Sequence, residues 1–122
     1  MPGRTVELRG PADDAFVRLI RGATLSVASQ AGFAVDPCDE LRVAADEACN
    51  LLISSGAGDL VVVWDHDPPL LTITFSASDS VMVSLDPVAE LVLTTMADHL
   101  LVEEGGRIVI QKKTPFIDPP QS

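Results

Sequence analysis

The stretch Leu41-Arg-Val-Ala-Ala-Asp-Glu-Ala-Cys-Asn-Leu-Leu-Ile-Ser-Ser-Gly56 decides how this chain is read. Its apolar residues recur with a helical period. On a helical wheel, Leu41, Ala44, Ala45, Ala48, Leu51 and Leu52 gather into one arc of roughly 120°. Asp46 and Glu47 stand side by side in the middle of this helix. Glu47 falls about 40° outside the apolar arc, at its border. A carboxylate there can look along a cavity wall. The same spacing also suits a solvated acid on a surface helix.

Upstream, Thr5-Val-Glu-Leu-Arg9 alternates and reads as a short strand. Pro11, Asp13 and Asp14 then open a helix, with proline in the first turn and acids near its positive end. Phe16, Leu19, Ile20, Ala23, Leu25 and Val27 supply its apolar side to about Ala31, and Gly32 ends it. Asp36-Pro37 then starts the helix quoted above, as cap and first-turn proline. Gly56 and Gly58 close it.

Downstream the period changes. Asp59–Trp64 and Leu70–Phe75 are β-branched runs joined by the hairpin-type connection Asp65-His66-Asp67-Pro68-Pro69. Trp64 and Phe75 are expected to fill the core or a sheet face. Ser76-Ala-Ser-Asp-Ser80 is a polar break, and Val81-Met-Val83 reads as a short edge strand. Asp86-Pro87 opens a third helix carrying Val88, Leu91, Val92, Thr95 and Met96. Leu100–Glu103 and Arg107–Lys112 form a last hairpin across Glu104-Gly105-Gly106.

This order predicts an α+β fold in one domain, residues 1–122, with a core at about 4–113 and a frayed tail over 114–122. The architecture is a two-layer sandwich: a mixed, mostly antiparallel sheet with three helices on one face. The other sheet face is left to solvent or a partner.

Composition narrows the function. A formal charge of −10 repels nucleic-acid phosphates and fits a basic protein partner, though it also serves solubility alone. No apolar run approaches the roughly 20 residues of a membrane helix. Met1-Pro-Gly-Arg-Thr-Val-Glu7 carries no apolar signal core, so the expectation is a soluble cytoplasmic protein. Cys38 and Cys49, eleven positions apart on or beside one helix, stand about 16 Å apart, beyond disulfide reach. There is no CxxC pair and no His/Cys cluster, which speaks against zinc. His66 sits in a turn and His99 near a helix end, neither beside a Ser or Cys in a nucleophile pattern.

Three pieces, in order, resemble the GHKL (histidine-kinase-like) ATPase superfamily, and within it the small anti-sigma-factor serine kinases of bacteria, the RsbW and SpoIIAB type. The first is the opening helix, Asp13-Asp-Ala-Phe-Val-Arg-Leu-Ile-Arg21. The second is Leu41-Arg-Val-Ala-Ala-Asp-Glu-Ala-Cys49, similar to the family's motif-bearing helix. The third is Leu91-Val-Leu-Thr-Thr-Met-Ala-Asp-His99 followed by Gly105-Gly106 and Arg107–Lys112, similar to its late helix and closing hairpin. The resemblance covers roughly residues 4–113 and implies the Bergerat, or histidine-kinase-like, ATPase fold. It also implies a homodimer that binds a sigma factor and is released by an anti-anti-sigma protein.

The family's nucleotide chemistry is matched only in part. Glu47 stands where the family has the glutamate that orients the attacking group. The magnesium-binding asparagine would fall four residues on, at Leu51, which has no ligand atom. Asn50 comes one residue early, turned about 100° around the helix. The family's D-x-G-x-G adenine loop falls on Ser76-Ala-Ser-Asp-Ser80, where Asp79 is the candidate for the adenine-binding aspartate and no glycine is present. Ser84-Leu-Asp-Pro-Val88 likewise lacks the phosphate-loop glycines.

Three functions follow. The first is a regulatory binding protein of the anti-sigma-factor kind. It holds a sigma factor or an anti-anti-sigma protein, its ATP site is largely lost, and it needs no metal or other cofactor. The second is a working serine/threonine kinase using Mg-ATP, with Glu47 as catalytic group and Asn50 and Asp79 at the nucleotide. The third is an acidic α+β binding module unrelated to sigma regulation.

Overall fold

In a computed structural model of the chain, residues 3–115 are described. The elements run β1 (Arg4–Pro11), α1 (Asp14–Gln30), α2 (Val35–Ser54), β2 (Asp59–Asp67), β3 (Leu70–Ser76), α3 (Pro87–Met96), β4 (His99–Glu103) and β5 (Arg107–Lys113). The strands make one sheet in the order β1-β2-β3-β5-β4. Every pairing is antiparallel, where the sequence left room for a mixed sheet. The described residues thus form an α+β sandwich of three helices and a five-stranded open sheet.

The register explains why one sheet face is dry. Val6, Trp64, Ile73, Ile110 and Leu100 lie in one row across the five strands. Leu8, Val62, Phe75, Ile108 and Val102 make the next. Period-2 alternation points all of these to one side, and the central members are fully buried. Residues of the opposite phase, such as Glu7, Thr74 and His99, face away and are partly or fully exposed.

The helices cover the dry face through small side chains. α2 buries Leu41, Ala44, Ala45, Ala48, Leu51 and Leu52, the arc read from the sequence, and packs against both α1 and α3. On α1 the buried residues are Phe16, Val17, Ile20, Thr24 and Ala28. Leu19, expected on this face, is 62% exposed. The polar Thr24 replaces it because the hydroxyl has a job: it donates to Ile20 O at 2.7 Å and accepts from Trp64 Nε1 at 3.1 Å. The indole N–H, buried in the middle of the sheet, is thereby satisfied.

Several local readings are corrected. Pro11 ends β1 opposite Asp59 and is not in the first turn of α1. The cap is Asp13, whose carboxylate accepts from Phe16 N at 2.9 Å. α2 starts one residue before Asp36, after Ala34, and has no side-chain cap; Asp36 and Pro37 lie in its first turn. Val81–Val83 is not a strand: residues 77–86 run as irregular chain from β3 to α3. α3 buries Ala89 and Leu93, leaving the expected Val88 and Leu91 in solvent. His99 opens β4. Thr114, placed in a frayed tail, is buried and donates its N–H to Pro69 O at 2.8 Å. Of the expected tail, residues 116–122 lie outside the described residues.

No helix among the described residues is long and apolar enough to cross a membrane. The Thr24–Trp64 bond is testable. Thr24→Val should leave the indole N–H buried without an acceptor and lower unfolding free energy by about 1–3 kcal/mol in urea denaturation. Thr24→Ser, which keeps the hydroxyl, should cost clearly less.

Candidate functional site

Asp46 and Glu47, adjacent in sequence, point to different places because one residue step turns a helix by about 100°. Asp46 faces α1 and sits between two arginines. Arg21 Nε donates to its Oδ1 at 2.6 Å, and Arg42 Nη1 lies 3.9 Å from its Oδ2. Asp46, through its hydrogen bond and its charge, holds the Arg21 guanidinium above its ordinary value. The pair is substantially solvated, so it orients the helices more than it stabilises them.

Glu47 faces the other way, into a cleft of about 330 Å³. The walls are Glu47, Asn50, Leu51, Ser54 and Ser55 from α2, and Met82, Ser84 and Asp86 from the segment leading into α3. No sheet residue lines it. Among the described residues Glu47 makes no ion pair and no side-chain hydrogen bond, and it is half-buried. The structure thus brings Glu47 and Asn50 together. It does not bring Asp79, which is exposed in the Ser76–Ser80 turn and outside this lining. Asn50 stands exposed at the cleft while the neighbouring Leu51 is buried in its wall.

Ser54, Ser84 and Asp86 were missed as cleft residues. Ser54 lies seven positions after Glu47, on the same stripe of α2, so helical spacing already carried that signal. Asp86 was read only as a helix opener. It is indeed the N-cap of α3, accepting from Ala89 N at 2.8 Å. That bond matters chemically. A helix N-terminus is a natural phosphate seat, and here the chain's own carboxylate already occupies it.

Magnesium–nucleotide, which the resemblance implies, does not fit this lining. Among the described residues there is no Lys or Arg in the wall, and no glycine to let the backbone close on a phosphate. Leu51 offers no metal ligand. The two acids, Glu47 and Asp86, would repel a triphosphate, and among the described residues no group of three or more His, Cys, Asp or Glu side chains could hold a metal ion. The depletion of positive charge is regional: residues 43–106 carry eleven acids and no Lys or Arg.

Other features are structural. Cys38 and Cys49 are buried free thiols on α2, and burial pushes the Cys49 thiol up to about 12, with Asp46 adding to the effect. Lys112 Nζ donates to Glu40 Oε2 and to Met96 O, both at 3.0 Å, tying β5 to α2 and to the last turn of α3. A hollow of about 510 Å³ lies by the β2–β3 hairpin, floored by Pro68, Pro69 and Pro115. Its polar groups, Gln30, His66, Lys113 and Thr114, form no catalytic constellation.

Compared with models of known protein families, the chain matches none, and no curated protein matches it either.

Asp59 fixes the turn that carries Asp79. Ser78 donates to its carboxylate through both its N–H, at 2.8 Å, and its hydroxyl. These bonds hold the Asp59 carboxyl below its ordinary value. A depressed carboxylate contributes its stabilisation above its unfolded pKa and loses it as pH falls through the folded value. The protection factor of the Ser78 amide, its exchange measured against the intrinsic rate at each pH, should therefore hold at neutral pH and fall only as pH drops below the ordinary aspartate range. Asp59→Ala, which removes the acceptor, should lose the protection at neutral pH.

Proposed function

We propose that this protein is a regulatory binding module of the anti-sigma-factor kind, in which the place of an ATP site persists as a cleft and its phosphate chemistry has gone. One observation carries the reading: the Glu47 cleft holds two acids, a leucine at the metal-ligand position and a helix N-terminus already filled by Asp86. Such a wall favours cations over phosphates. The partner expected from the resemblance is a sigma factor or an anti-anti-sigma protein, and the acidic surface suits the basic character of a protein that binds DNA. The cytoplasm is the compartment in which such partners would be met.

The kinase reading has one feature in its favour, the shared position of Glu47 and Asn50 on the cleft. Phosphoryl transfer depends on a metal and on charge neutralisation, and both are wanting here.

Titration calorimetry with ATP and magnesium decides between them. The binding-module reading predicts no heat and no thermal stabilisation at millimolar nucleotide. Magnesium-dependent binding at micromolar strength would overturn it and put the kinase first. Glu47→Ala should then abolish transfer to a substrate protein; under the binding reading it should leave no activity to lose.

A further inference from the structure

Exposed apolar residues adjoin the cleft where its second wall runs into α3. Met82 is 92% exposed, Val88 70% and Leu91 66%. Val88 and Leu91 are three apart on α3 and so lie on one ridge of the helix. Met82 and Asp86 share the cleft wall, and Asp86 caps the helix two residues before Val88. The ridge therefore begins at the cleft mouth and runs along α3.

Met82 is held outward by construction. Val81 N donates to Gly105 O at 3.0 Å, and Val81 packs on Gly106, which has φ 90°. A Cβ at Gly106 would stand 2.5 Å from Val81 Cγ2 and 2.7 Å from Val81 O. The closing hairpin thus pins the crossing segment at Val81, and burial alternates from Val81 to Leu85, which leaves Met82 in solvent. With Val88 and Leu91 it gives the cleft mouth an exposed apolar border, and grouped exposed apolar residues, not single ones, mark contact surfaces.

We infer that the Met82–Val88–Leu91 ridge and the Glu47–Asp86 cleft together form a docking surface for a basic amphipathic helix of a second protein. The inference rests on the binding-module reading and gives it an address. The two parts demand complementary chemistry. An exposed i, i+3 ridge packs against apolar residues spaced by three and four on a facing helix. The adjacent cleft, with Glu47 lacking an ion pair among the described residues and Asp86 beside it, receives a Lys or Arg from that helix. The surroundings add to the match: Glu90 lies on α3 itself, and the whole of residues 43–106 lacks a Lys or Arg that would repel such a partner.

The probe is a fluorescein-labelled peptide of leucine and lysine, with the leucines at helical spacing, followed by anisotropy. Wild-type protein should bind it, more weakly as salt rises. Val88→Ser with Leu91→Ser should weaken binding about tenfold or more. Glu47→Gln with Asp86→Asn, which keeps a capping side chain, should weaken it several-fold and flatten the salt dependence. Leu19→Ser, an equally exposed site on α1, should change nothing. Circular dichroism and thermal midpoints establish that each variant folds. Absence of wild-type binding, or equal loss at Leu19 and at the ridge, overturns the proposal. So does a concentration-dependent dimer that the ridge variant dissolves, since the occupant would then be a second copy. Nucleotide binding in the calorimetric test would remove the wider reading and leave these results unaffected.

Discussion

The structure depends on how closely α2 can lie among its neighbours. Ala44, Ala45 and Ala48 are fully buried, and their small side chains let one helix touch α1 on one flank and α3 on the other while still meeting the sheet. A helix held on three sides has no freedom to rotate. Asp46 is therefore committed to Arg21 of α1 and to Arg42 of its own helix, and Glu47 to the cleft on the α3 side. The electrostatic character of the molecule follows from that single rotational setting. One acid is neutralised within the fold, and its neighbour is left with its charge to offer.

The opposite wall is set by two independent ties. Gly105 and Gly106 hold the 77–86 segment through Val81, and Asp86 fixes where that segment becomes α3. Neither tie involves a glycine-rich loop able to wrap a phosphate. Two glycines, Gly105 and Gly106, serve the turn of the closing hairpin, and Asp86 serves the helix cap. The position of the cleft and its chemistry thus have separate origins: the packing of α2 sets the one, and Glu47 and Asp86 set the other.

The sequence made much of this legible. The apolar arc of α2, the β-branched runs of β2 and β3, and the turn at Glu104–Gly106 all appear where their composition, period and breakers place them. The failures have physical causes. Leu19, Val88 and Leu91 looked like core because hydropathy cannot tell a buried face from an exposed one when both are apolar. Thr24 carries no local signal of burial because its partner, Trp64, lies forty residues away on another element. Asp86 looked like a cap only, since the approach of its segment to α2 is a tertiary fact. Asp79 followed a loop analogy, and the turn is held instead by Asp59.

The central claim is that α2 presents Glu47 to a cleft suited to cations and closed to phosphates. The most direct measurement is a pair of nitrogen-15 amide NMR titrations on one labelled sample, with magnesium–ATP and then with a lysine-bearing amphipathic peptide. The account predicts that the amides of Glu47, Ser54, Ser55, Ser84 and Asp86 stay fixed with nucleotide and move with the peptide. Movement of those same amides with magnesium–ATP, and stillness with the peptide, would contradict it.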